Sequence, residues 1–160
     1  MDYKIRPAAL KDIEKIRRLI DVYAAKKIML KRTKAFLKKS INNYVVATSG
    51  SKFVGVCGLR LWQPNLLEVI SLAVGPKYKN QGVGTALIRE AINQGIKRGY
   101  NSFFTLTMSP KIFKRLGFKK ISFKKISPKV QSDCNFCPKN DAGPGKGSCN
   151  EIPLSLITPK

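Results

Sequence analysis

The chain has 160 residues, with 31 Lys and Arg against 9 Asp and Glu, a formal charge of +22 and no histidine. An apolar share of 43% excludes wholesale disorder, and the length fits one core. The missing histidine excludes Ser-His-Asp and Cys-His catalysis and any His-ligated metal.

Residues 2–7 read as a short strand stopped by Pro7. Across residues 9–27, Ile13, Ile16, Leu19, Ile20 and Tyr23 recur at offsets of three and four, one apolar face of a helix. A shorter helix is expected over 33–41 with Thr33 as its N-cap, broken by Asn42 and Asn43. Residues 44–48 and 53–62 form a hairpin across a Ser-Gly-Ser-Lys turn. Residues 66–74 are nearly all apolar, as in a strand covered on both faces. A helix over 83–97 ends at Gly99. Then come a strand at 103–107, a short helix at 110–116 closed by Gly117, and an alternating strand at 118–126. Residues 127–150 turn rich in Ser, Pro, Gly, Asn and Cys and read as a long loop, before a last strand at 152–157. The order is that of one α+β domain over 1–160 with a Cys-containing extension at about 127–150. No apolar run is long enough to span a bilayer, and the first residues lack the apolar core of a signal peptide, so a cytoplasmic protein is expected.

The dispersed lysines read as a solvated surface or as an attraction for anionic ligands. Nucleic acid is not the expected partner, because no zinc-finger spacing, RNA-binding aromatic signature or basic heptad segment is present.

The stretch from Val74 to Ala86 joins the apolar strand to the helix through a Gly-rich loop. No Gly-Lys-Ser/Thr follows, so it is not a P-loop, and Gly82-x-Gly84 lacks the third glycine of a dinucleotide fingerprint. Backbone N–H groups at a helix N-terminus, with Lys77 and Lys79 beside them, suit a pyrophosphate. Glu68 is the only acid between Asp21 and Glu90 and lies in the apolar strand. Such a carboxylate is either a strand-end partner for a Lys or a general base that deprotonates an attacking amine. Cys57 reads as a small buried apolar residue. Cys134-x-x-Cys137 with Cys149 has metal-like spacing, leaving structural zinc, free thiols and a disulfide all open.

The pattern Val74-x-Pro76-x-Tyr78-Lys79-x-x-Gly82-x-Gly84-x-x-Leu87, with Phe113-x-x-x-Gly117-Phe118 after it, resembles the coenzyme A loop and following segment of the GNAT acyltransferase superfamily. The resemblance covers most of residues 2–126. It implies a central mixed, mostly antiparallel sheet flanked by helices, and direct acetyl transfer from acetyl-CoA to an amine. It implies pantetheine pairing at Leu72, Ala73 and Val74, and pyrophosphate binding at Lys79, Asn80, Gln81, Gly82, Val83, Gly84 and Thr85. Glu68 falls at the position of the general base. Three residues depart from the family pattern. Lys79 replaces Gln or Arg. Phe113, which would line the cofactor site, replaces a Tyr that protonates the thiolate, so the acid is water, another hydroxyl such as Ser109, or dispensable. Met108 replaces an expected Arg.

Residues 29–33, the Glu68 strand and the tail Asp133-Cys134-x-x-Cys137-Pro138…Cys149-x-Glu151 further resemble stand-alone N-acetylglutamate synthase-like members. That likeness implies an amino-acid acceptor, glutamate first, in arginine biosynthesis, with Arg32 gripping its carboxylate. The alternatives are a protein or peptide N-acetyltransferase and a non-catalytic basic protein that binds acetyl-CoA or assists nucleic acid. The expected partner is a small amine, with no membrane; a homodimer is left open.

Overall fold

The computed structural model describes all 160 residues. Seven strands form one mixed sheet in the order β1-β2-β3-β4-β5-β7-β6. They are β1 (Lys4–Pro7), β2 (Tyr44–Ser49), β3 (Lys52–Gln63), β4 (Leu66–Val74), β5 (Ser102–Thr107), β6 (Lys119–Lys120) and β7 (Ile152–Ile157). The helices are α1 (Ile13–Ala24), α2 (Lys34–Ser40), α3 (Val83–Lys97), α4 (Pro110–Arg115) and α5 (Ser127–Ser132). No helix is long and apolar enough to cross a membrane.

The residues gather into two compact units: Met1–Arg60 with Val69–Gly99, and Leu61–Glu68 with Tyr100–Lys160. In the first, β1 and β3 run antiparallel on either side of β2. The period-3.6 face of α1 buries Ile13, Ile16, Ile20 and Tyr23 in one cluster with Leu37, Tyr44, Val46, Val56, Ile70 and Ala73. Thr33 Oγ1 accepts from the Phe36 N–H at 3.1 Å, so the expected N-cap starts α2. Gly99, at φ +91°, ends the turn after α3, and its N–H donates to the Ile96 carbonyl at 2.9 Å.

Gly58 is registered opposite Tyr44 across β2 and β3, and the Tyr44 ring lies where its side chain would be. A Cβ there would stand 2.6 Å from the ring. Tyr44 is fully buried, so the ring is held by its neighbours. Gly58→Ala is therefore expected to lower unfolding stability by about 1–3 kcal/mol through overpacking. The check is the urea midpoint; an unchanged midpoint would mean the ring swings aside at no cost.

In the second unit β4 pairs parallel with β5 over Leu66–Ser102, Leu67–Phe103 and Glu68–Phe104, and β5 pairs antiparallel with β7 along its whole length. Phe103, Phe104, Phe113, Phe118, Ile126 and Leu154 are buried here.

Two expectations are corrected in this unit. The alternating segment 118–126 is not one strand. Only Lys119 and Lys120 pair with β7, and Phe123–Ile126 closes into a 3-10 turn that buries Ile126. Its apolar residues fall at 118, 121, 123 and 126, offsets of three, two and three, so the segment does not keep the period of two that a strand needs. Nor is 127–150 without structure, for it opens with α5. Its Pro128 sits in the first helical turn, where the missing N–H costs nothing and the fixed φ favours the helix. Counted in a loop-like composition, that proline hid a helix start.

Candidate active site

In the first unit, β4 leads through a 3-10 turn at Pro76–Tyr78 into an exposed loop and then α3. Asn80 and Gly82 are both left-handed, at φ +60° and +81°. Asn tolerates that region and Gly pays nothing for it. A Cβ on Gly82 would meet only the Tyr3 hydroxyl, 3.7 Å away, so the protein itself leaves the loop backbone open to a close neighbour. The first N–H groups of the 15-residue α3 have no intrahelical acceptor and carry the positive end of its dipole. Of the residues expected to meet the cofactor, Lys79, Asn80, Gln81 and Gly82 are exposed; Leu72, Val74, Gly84 and Thr85 are half-buried; Ala73 and Val83 are buried. Lys79 Nζ stands 4.9 Å from the Tyr23 ring centroid, and the Tyr23 hydroxyl donates to the Val74 carbonyl.

Ser71, in the middle of β4, has φ +55°, a strained value for a residue with a side chain. Its hydroxyl bonds Tyr44 Oη at 3.2 Å and accepts from Arg32 Nε at 3.4 Å. Burial pushes the Tyr44 phenol up, and bonds from Ser71 and Arg32 partly oppose this. The Arg32 guanidinium also lies over Phe36, 4.9 Å from its centroid. It lines a shallow groove of about 450 Å³ with Arg17, Lys31 and Lys34, beside Glu14 and Asp21. Arg17 is paired with Glu14 and Asp21, and Lys34 with Glu14. Arg32 instead meets hydroxyls and an aromatic face, so its charge is not neutralised by an acid.

In the second unit Glu68 is only 4% exposed. It is therefore not an exposed strand-end side chain, although it does pair with a lysine. Its Oε1 is 3.0 Å from Lys129 Nζ, and its Oε2 accepts from Trp62 Nε1 at 2.7 Å. Lys129, itself 5% exposed, also donates to Asp133 at 3.2 Å and lies 5.4 Å from the Trp62 ring centroid. Burial pushes the Glu151 carboxyl up; Lys139 and Lys129 oppose this and Glu68 adds to it. Phe113 is buried at 3% and packs edge-on against Phe118, 5.3 Å between centroids. Met108 is exposed.

Sequence reasoning missed Ser71, Tyr44, Trp62 and Lys129. For Lys129 a signal existed: Asp133 four residues on, in a chain with few acids. For Ser71 none did, since its strain comes from the backbone.

Of the three states left open for the loop cysteines, structural zinc is not supported. No three or more His, Cys, Asp or Glu side chains are grouped to hold a metal, and all four cysteines are free thiols. Cys137, Cys149 and Glu151 come close enough to Cys134 to act on it electrostatically, but they do not converge as ligands. Burial pushes Cys57 up to about 12 and Cys134 up to about 11. Only the thiolate attacks an alkylating agent, so in the folded protein at pH 7–8, well below those values, both are expected to stay unlabelled by iodoacetamide. Peptide mapping after native labelling checks this; rapid modification of Cys57 would mean its site opens.

A sheet of this order with a Gly-rich turn between β4 and α3 is the fold of the acetyltransferases. The Acetyltransferase (GNAT) family profile matches residues 10–118, and the chain belongs to that family. It is an acetyl-CoA-dependent N-acetyltransferase. It is 33% identical over 153 residues to an uncharacterized N-acetyltransferase of Chlorobaculum tepidum, covering 96% of this chain and 95% of that one. It is 28% identical to an amino-acid acetyltransferase of Mycobacterium tuberculosis, covering 71% of this chain and 67% of the relative. Among solved structures, N-acetylglutamate synthase from Neisseria gonorrhoeae, complexed with coenzyme A and N-acetyl-glutamate, superposes with a TM-score of 0.83 at 21% identity. That match covers all of this chain and 36% of the synthase.

Proposed function

We propose that the chain acetylates the α-amine of a free amino acid, glutamate first, by direct attack on acetyl-CoA. The observation that carries the acceptor assignment is Arg32, a guanidinium without an acid partner on the wall of an open groove. A planar fork with unused N–H donors is a bidentate ligand for a carboxylate. The relatives named as amino-acid acetyltransferases, and the synthase crystallised with N-acetyl-glutamate, support the same class.

In this reading the N–H groups of the Lys79–Thr85 segment hold the pyrophosphate, with Lys79 adding charge. The β4 backbone at Leu72–Val74, beyond the β4–β5 register, pairs with the pantetheine arm. Glu68 takes the proton of the attacking ammonium. Each of its oxygens accepts one protein donor, which leaves a lone pair on each for a substrate N–H or a bridging water. The coenzyme A thiolate leaves without a tyrosine, since its acidity is close to that of a cysteine thiol. We read residues 1–160 as one functional domain, the 127–150 extension included, because β4 contributes to both compact units.

The experiment is a mass-spectrometric screen of acetyl-CoA with each of the twenty amino acids. N-acetylglutamate as the main product supports the full reading. Another acetylated amino acid keeps the mechanism and moves the choice of side chain to Met108. No product from any amino acid, with acetyl-CoA bound, overturns the acceptor class and turns the search to peptides.

A further inference from the structure

We propose that Lys129, carried by the first helix of the extension, is a positioning residue for the Glu68 carboxylate. This rests on the reading of Glu68 as the base. Lysine is almost never fully buried unless it is paired, and Lys129 is nearly enclosed. Its ammonium stands between Glu68 Oε1, at 3.0 Å, and Asp133 Oδ2, at 3.2 Å, with the Trp62 indole below it at 5.4 Å. Glu151 is also within electrostatic reach. Three of the nine acids in a chain of charge +22 therefore surround one buried lysine. Scarce acids gathered this way argue for a built network, not a surface pairing.

The division of labour follows from the geometry. Asp133 lies four residues after Lys129, and its N–H closes the last turn on the Lys129 carbonyl at 2.8 Å. One helical turn thus carries both the ammonium and the carboxylate that aims it. Trp62 on β3 fixes one oxygen of Glu68, and Lys129 on α5 fixes the other. Two donors from segments far apart in sequence set the plane of the carboxylate, and so the direction of the lone pairs left for a proton. A catalytic group displaced by about 1 Å loses on the order of 10²-fold in rate. The extension is then part of the catalytic framework and not an appendage.

Lys129→Met removes the ammonium and keeps the length of the chain. Trp62 is the only tryptophan, so its fluorescence reports the network directly and independently of turnover. The assay uses the full chain, acetyl-CoA and the amino acid that the wild type acetylates fastest in the screen. Should no amino acid be acetylated, the Trp62 emission of Lys129→Met, Glu68→Gln and the double variant decides alone. The expected result is a kcat lowered about 10- to 100-fold with the KM for acetyl-CoA within about twofold of wild type. Lys129→Arg should recover much of the rate, Trp62 emission should shift in the Met variant, and the double variant should be no slower, and shift no further, than Glu68→Gln alone. Lys129→Arg also keeps the test alive if the Met variant does not fold. A wild-type kcat in Lys129→Met, with Glu68→Gln inactive, overturns the inference and leaves the base reading standing. Wild-type rates in both variants sink the base reading and this inference with it. An unchanged Trp62 emission, or additive effects in the double variant, overturns the coupling itself.

Discussion

Glu68→Gln is expected to lower kcat by about 10²- to 10⁴-fold, the usual contribution of a positioned general base. The KM for acetyl-CoA should hardly move. The substitution is nearly isosteric, and its amide oxygen still accepts from Trp62 Nε1, so the β3–β4 side of the site keeps its bond. What is lost is the charge opposite Lys129, and with it the ability to take a proton from an ammonium. Asp133 remains as a partner for Lys129, so the lysine is not left buried with no counter-charge. Steady-state kinetics across pH, with the thermal midpoint as control, make the check. A variant that turns over like the wild type at every pH would retire Glu68 as the base and leave it as the buried partner of a lysine. A loss of rate accompanied by a large drop in midpoint would point to the fold instead, and the Lys129→Arg comparison would then separate the two.

The second large effect is expected at Arg32. Arg32→Ala should raise the apparent KM for the amino acid by about 10- to 100-fold, the worth of charged hydrogen bonds to one carboxylate. The KM for acetyl-CoA should change little, since the Gly-rich loop does not use this side chain. Arg32→Lys should fall between, because it retains charge but not the two-pronged donor. The side chain also bonds the strained Ser71 and covers Phe36, so part of the loss belongs to packing. Ser71→Ala separates these contributions: it removes the hydroxyl contact and keeps the guanidinium. Equal effects of Arg32→Ala on both substrates would sink the carboxylate role.

Much of the fold was legible in the chain. The apolar run of β4 and the amphipathic α1 and α3 depend on near neighbours in sequence, and hydrophobic periodicity reports those directly. The N-cap at Thr33 and the stop at Gly99 are local hydrogen-bond and backbone effects, readable for the same reason. The 118–126 segment is not the expected strand because its apolar spacing departs from a period of two and because a ladder needs a partner strand, which β7 offers to only two of those residues. The α5 helix was missed because Pro128 marks a helix start as readily as a break.

At the site the division is similar. A lone acid in an apolar strand singled out Glu68, since the cost of burying a charge is a property of the residue and its immediate neighbours. That its two oxygens would meet Trp62 and Lys129 was not readable, because those donors lie 6 and 61 residues away and are placed by the packing of β3 and α5. The Cys134 and Cys137 spacing suggested a metal, yet spacing fixes only two ligands, and the rest must be brought by the fold. Interactions over a few residues set most of the elements, the Gly-rich loop and the candidate base, and these could be read from the chain alone. What faces that base, what Arg32 meets in place of an acid, and where β4 is strained were settled by the packed fold alone. Those depend on contacts between distant segments, and they form only when the core that holds the segments has closed.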